Sequence, residues 1–76
     1  MACYNRVQGV YGTQSPDMLT RKLKQDWGFE GIVVSDWDAV IDRVEGIRAG
    51  MHLEMPGKPG HLTNQIVIDA VRNGDL

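Results

Sequence analysis

The hydrophobic positions change period several times along the chain. Met18, Leu19, Leu23 and Trp27 recur at helical spacing, and the cations of Arg21, Lys22 and Lys24 fall on the outer side. The start of this predicted helix is marked by Ser15-Pro16-Asp17. Serine caps free N–H groups, proline suits the first helical position, and an acid suits the positive end of the dipole. Gly28 ends it. Ile32-Val33-Val34 is then a β-branched run without alternation, the pattern of a strand buried on both faces. Helical spacing returns from Ala39 to Ala49, with Val40, Val44 and Ile47 on the inner face and Gly50 as the stop. Asp42, Arg43, Glu45 and Arg48 read as the solvated face of that helix. Met51 to Met55 predicts another short strand, and Pro56 to Gly60 a loop. A last helix runs from His61 or Leu62 to the Asn73-Gly74 stop, with Leu62, Ile66, Ala70 and Val71 inside. Residues 1 to 5 suit a short strand, and Arg6 to Gln14 a loop.

Strands alternating with helices predict an α/β fold built from right-handed βαβ units around a parallel sheet. About three such units are present, whereas a closed barrel takes eight and roughly 250 residues. The 76 residues therefore read as a single piece of a larger domain, with no internal boundary. A domain of about this size is marginally stable alone. A lone cysteine excludes an internal disulfide and a cysteine-rich zinc site. Eight basic residues against ten acidic ones, a formal charge of −2, give no footprint for nucleic acid. No apolar run reaches the ~20 residues that span a bilayer, so a membrane role is not expected.

The candidate chemistry sits at Val33-Val34-Ser35-Asp36-Trp37, where an acid follows directly on the apolar strand. Ligands of α/β folds bind outside the carboxyl ends of parallel strands. A carboxylate there can serve as nucleophile or as general acid/base, and the ring of Trp37 can bound a sugar face. The plainer alternative is that Asp36 caps the following helix and Trp37 packs as core, since Asp at a helix start is common. Tyr4 lies at the end of the preceding strand, which would bring its phenol near Asp36 and favour the ionised carboxylate. His52 and His61, with Glu54 and Asp36, match no zinc spacing, so no metal is expected. Cys3 reads as inert packing, and the glycines lack a phosphate-cradling pattern.

Four segments together resemble a family 3 glycoside hydrolase, the group of many β-glucosidases and β-xylosidases. Met1-Ala2-Cys3-Tyr4-Asn5-Arg6-Val7-Gln8-Gly9 is similar to the family's M-x-S-Y-N-x-V-N-G segment. Leu19 to Gly31, with Trp27-Gly28-Phe29-Glu30-Gly31, is similar to the family's L-x-x-x-W-G-F-x-G segment. Val33 to Trp37 matches V-V-S-D-W, and Ala49 to Pro56 is similar to A-G-x-D-L-E-M-P, with His52 in place of Asp. The resemblance implies a fragment of a (β/α)8 TIM-type barrel. It implies a retaining β-glycosidase that removes terminal β-D-glucosides by double displacement, with Asp36 as nucleophile. Trp37 would line the sugar subsite and Tyr4 would stand beside the nucleophile. Such chemistry uses two carboxyl groups and no cofactor. The acid/base Glu of the family lies in a second domain, and its sugar-gripping Lys-His and Arg segments lie upstream. The chain would thus need the rest of the barrel and that second domain to turn over a β-linked glucoside or oligosaccharide. The 76 residues alone are expected to be inactive, with exposed sheet edges. The rival readings are a β-xylosidase of the same family, a non-catalytic carbohydrate-binding or interaction module, and a small α/β domain in which Asp36 only caps a helix.

Overall fold

The structure is a computed structural model that describes residues 1–57 and 61–76, the side chains of 61–63 excepted. The expected parallel core is present in its shortest form. Ala2 bridges Ser35 and Val34 bridges Leu53, both in parallel, so the order is first, second, third segment. Ala2 N–H donates to Val34 C=O at 2.7 Å, and Asp36 N–H to Ala2 C=O at 2.9 Å. On the other side Ser35 N–H donates to Leu53 C=O at 2.9 Å. The middle segment, which carries Asp36, is therefore held from both sides. The strands expected over 1–5, 32–34 and 51–55 shrink to these bridges. No barrel closes among the described residues.

Two antiparallel strands occupy part of the stretch read as loop: β1 (Arg6–Val7) and β2 (Val10–Tyr11). Arg6 pairs with Tyr11 and Val7 with Val10 across a two-residue turn. Gln8 (φ 52°) and Gly9 (φ 83°) both adopt the left-handed conformation that such a turn requires. The turn was hidden because glutamine is a weak signal for positive φ. A 3-10 turn over Gly12–Gln14 follows.

The helix predicted after Ser15-Pro16-Asp17 runs over Asp17–Asp26, and Ser15 Oγ accepts from Met18 N–H at 3.2 Å as expected of a cap. It is wound in the wider π manner, and Trp27 N–H closes it on Lys22 C=O at 3.0 Å. The extra residue per turn rotates its last side chains off the predicted stripe. Trp27 is 78% exposed, while Lys24 turns inward and donates to Gly50 C=O at 2.8 Å. Asp17 pairs with Arg21 and, at 3.4 Å, with Lys22. The hydrogen bond from Arg21 is the main cause that lowers the Asp17 carboxyl below its usual range.

Helix α1 covers Arg43–Ala49, four residues shorter at its start than the spacing predicted. Asp42 stands in extended conformation and accepts Glu45 N–H at 3.0 Å, so this acid sets the start. Ala39 and Val40 are buried in the loop before it. The residues of α1 that are buried are Gly46 and Ala49, not Val44 and Ile47. Small residues let the helix backbone lie close to the 3-10 turn, where a Cβ on Gly46 would stand 3.3 Å from Thr13 C=O. Of the face read as solvated, Glu45 and Arg48 pair with each other, while Arg43 bonds Glu54 at 3.1 Å and Asn64 at 2.9 Å. Helix α2 (His61–Arg72) follows the predicted span. Among its described side chains Ala70 is buried, whereas Ile66 and Val71 are exposed, and the predicted burial of Leu62 lies outside the described residues. The core gathers Ala2, Leu19, Val33, Val40, Ala49 and Met51, with Leu23 packed against it.

Candidate functional site

The parallel order puts the ends of the first two segments side by side. Tyr4 follows Ala2 by two residues and Asp36 follows Ser35 by one. The phenol of Tyr4 donates to Asp36 Oδ1 at 3.1 Å across 32 residues of sequence. The same Oδ1 accepts the backbone N–H of Trp37 at 2.9 Å. Oδ2 receives no hydrogen bond among the described residues. One carboxylate oxygen is thus tied down and the other is open. Tyr4, Asp36 and Trp37, the three residues singled out in the sequence, come together at one end of the parallel segments.

Asp36 does not cap a helix. Its carbonyl accepts Ala39 N–H at 3.1 Å in a turn, and α1 begins later on Asp42. Trp37 is not core: half of its surface is exposed, as is half of Tyr4. Partial loss of solvent, then the hydrogen bond to Asp36 and the charges of Asp36 and Asp38, raise the Tyr4 hydroxyl above the usual tyrosine value. Tyr4 accordingly stays a proton donor to Asp36 at neutral pH.

Asp38 is a residue that the sequence pattern did not single out. It has φ 63°, and its N–H donates to Met55 C=O at 2.8 Å, which folds the turn after Asp36 back onto the third segment. A non-glycine residue at positive φ is costly unless its surroundings hold it there, and aspartate is one of the residues that tolerates it. The side chain of His52 is also engaged. Its Nδ1 accepts Val33 N–H at 2.9 Å, and its backbone N–H donates to Val33 C=O at 3.0 Å. It braces the middle segment from the side. Glu54 faces Arg43 rather than Asp36. Cys3, expected within a buried strand, is half-buried, with its thiol 3.7 Å from Asn5 C=O. Among the described residues no three of His, Cys, Asp and Glu are grouped to hold a metal ion.

The chain as a whole is similar to known proteins. Residues 1–76 match the glycosyl hydrolase family 3 N terminal domain. The thermostable β-glucosidase B of Acetivibrio thermocellus is 45% identical over all 76 residues, which are 10% of its own length. An exo-α-(1→6)-L-arabinopyranosidase of Bifidobacterium breve is 50% identical over the whole chain, again 10% of its length. The β-glucosidase 3B of Thermotoga neapolitana, solved in complex with α-D-glucose, superposes on 96% of this chain with a TM-score of 0.87 at 35% identity, using 11% of its own chain. The chain thus spans about a tenth of the length of the relatives it matches. A match to the family domain along the full chain, shared with enzymes of this similarity, places the chain in glycosyl hydrolase family 3 as part of its N-terminal domain.

Proposed function

We propose that this chain is the nucleophile-bearing part of a retaining glycosidase barrel that hydrolyses terminal β-D-glucosides. The observation that carries the reading is the asymmetric carboxylate of Asp36. Tyr4 and Trp37 N–H both hold Oδ1, which leaves Oδ2 as the attacking oxygen. Attack on the anomeric carbon forms a glycosyl ester while the bond to the leaving oxygen breaks. A second carboxyl group, outside these residues, gives its proton to that oxygen and stands about 5 Å from Asp36. It then takes a proton from water, which attacks the same carbon and releases Asp36. When the ester forms or breaks, the carboxylate exchanges charge on Oδ2, and the donors on Oδ1 stabilise the ionised form. Trp37, exposed beside the carboxylate, would bound the sugar with its ring.

The exposed apolar surface supports a place within a larger barrel. A hollow of about 380 Å³ opens between Met1, Ala2, Met18, Leu23 and Trp27, where a neighbouring β/α unit would pack. The glucose complex of the Thermotoga enzyme supports glucoside as substrate. The 50% identity to the Bifidobacterium breve enzyme favours a second substrate, an L-arabinopyranoside, for the same chemistry.

The test is covalent. The intact enzyme is treated with a 2-deoxy-2-fluoroglucoside bearing a good leaving group, digested, and mapped by mass spectrometry. A glycosyl adduct on Asp36 is expected. Asp36→Gly should lose hydrolysis, and azide should restore turnover by giving the glycosyl azide of opposite anomeric configuration. An adduct on another residue would dismiss Asp36 as nucleophile. Hydrolysis with inverted configuration would dismiss double displacement itself.

A further inference from the structure

The residue before Asp36 has an unusual position. Ser35 is wholly buried, with 0% of its surface exposed. Its backbone is used on the third segment through Leu53 C=O at 2.9 Å. Its side chain is used there as well: Oγ accepts Met55 N–H at 2.9 Å and lies 3.5 Å from Met55 C=O. The carbonyl of Met55 in turn accepts Asp38 N–H at 2.8 Å. Asp36 and Trp37 thus stand between two residues, Ser35 and Asp38, that both bond to the backbone of one residue, Met55, of the neighbouring segment.

From this geometry we infer that Ser35 is a positioning residue for the reaction: its hydroxyl clasps Met55 and so fixes the turn that aims the Asp36 carboxylate and the Trp37 ring. Ser35 touches no substrate. It acts through Met55 and Asp38. A buried hydroxyl that serves packing alone needs any one partner, whereas this one closes a ring of contacts around the two site residues. Loss of the hydroxyl leaves the part-buried Met55 N–H without its partner, and the segment must shift to satisfy it. A shift near 1 Å at a reacting group lowers rate by up to about 100-fold.

The inference rests on Asp36 as nucleophile, and its test keeps the two apart. Ser35→Ala and Ser35→Thr are made in the intact enzyme. Released leaving group from the 2-fluoroglucoside counts the competent sites, and the time course gives the rate constant per competent site. Ser35→Ala is expected to lower that per-site constant roughly 10- to 100-fold. Ser35→Thr, which keeps the hydroxyl, should recover most of it. A merely structural role would reduce the number of competent sites and leave the per-site constant unchanged. A constant within twofold of wild type in Ser35→Ala therefore overturns the inference. Should Ser35→Ala yield no competent sites, Ser35→Cys, of similar size with a weaker acceptor, is read by the same criterion. Hydrogen exchange in the peptide covering residues 53–55 reads the clasp itself. Faster exchange in Ser35→Ala is expected even if the wild-type adduct lies elsewhere than Asp36, and unchanged exchange refutes the clasp.

Discussion

Gly50 joins α1 to the third parallel segment, and replacing it by alanine tests how that segment is held. The backbone there has φ 121°, a conformation that side chains rarely adopt, with a cost of order 1–3 kcal/mol. Space is short as well. A Cβ on Gly50 would stand 2.8 Å from Thr20 Oγ1, 2.9 Å from Lys24 Nζ and 3.4 Å from Leu19 Cβ. The Lys24 ammonium can swing away, at the cost of its 2.8 Å bond to Gly50 C=O. Thr20 has less freedom, because its hydroxyl donates to Ala49 C=O at 2.8 Å. Strain and the loss of one or two hydrogen bonds of about 1 kcal/mol each sum to roughly 3 kcal/mol. That is a factor of about 100 in the unfolding equilibrium of the surrounding domain. Pulse proteolysis of the intact protein across a urea series reads this as a lower midpoint. Thr20→Ala combined with Gly50→Ala should recover part of the steric cost but none of the backbone cost. A Gly50→Ala midpoint equal to wild type would refute the reasoning, since it would mean that neither the φ nor the Thr20 contact constrains the turn.

Two further predictions follow the contacts around the middle segment. His52→Ala removes the acceptor of Val33 N–H, which sits at a residue only 3% exposed, and should destabilise the domain by about 1–2 kcal/mol. His52→Asn places an oxygen where Nδ1 stood and should cost much less; equal losses in the two variants, by the same proteolysis series, would show that the bond is immaterial. For Tyr4, the raised hydroxyl pKa means that its contribution to stability is full below the usual tyrosine value near 10 and is lost as pH rises through the higher folded value. Ultraviolet difference titration of wild type against Tyr4→Phe should place the Tyr4 phenolate signal above that usual value. A signal at or below it would contradict the hydrogen bond to Asp36.

The pairing of Tyr4 with Asp36 was legible because it depends on two facts a sequence carries well. Each residue ends a parallel segment, and the two segments are consecutive. The helix starts at Ser15 and the stops at Gly28 and Gly50 were legible for a similar reason, since caps are local chemistry. The start of α1 was not. Asp36, Asp38 and Asp42 each offer a cap within seven residues, and the choice falls to Asp42 because the Asp36 carboxylate is bonded to Tyr4 and Trp37 N–H, and Asp38 stands at positive φ rather than in the extended conformation of a cap. The role of Lys24 was missed because helical spacing assumes ordinary winding, and the π geometry changes which side chains face inward. The part played by Ser35 was not legible, because its partner is a backbone N–H twenty residues away.

The hairpin of β1 and β2 has a separate consequence. Gly12 N–H donates to Asn5 C=O at 3.1 Å, so the chain returns to within one hydrogen bond of where it left the end of the first segment. The intervening residues form a closed excursion. Its tip, Gln8-Gly9, can be lengthened at small entropic cost, because each doubling of a flexible loop adds only about 0.6 kcal/mol. Tyr4 and the helix after Ser15 would keep their register through such an insertion. This hairpin is therefore a place where added residues can be taken up without moving Tyr4 out of its bond to Asp36.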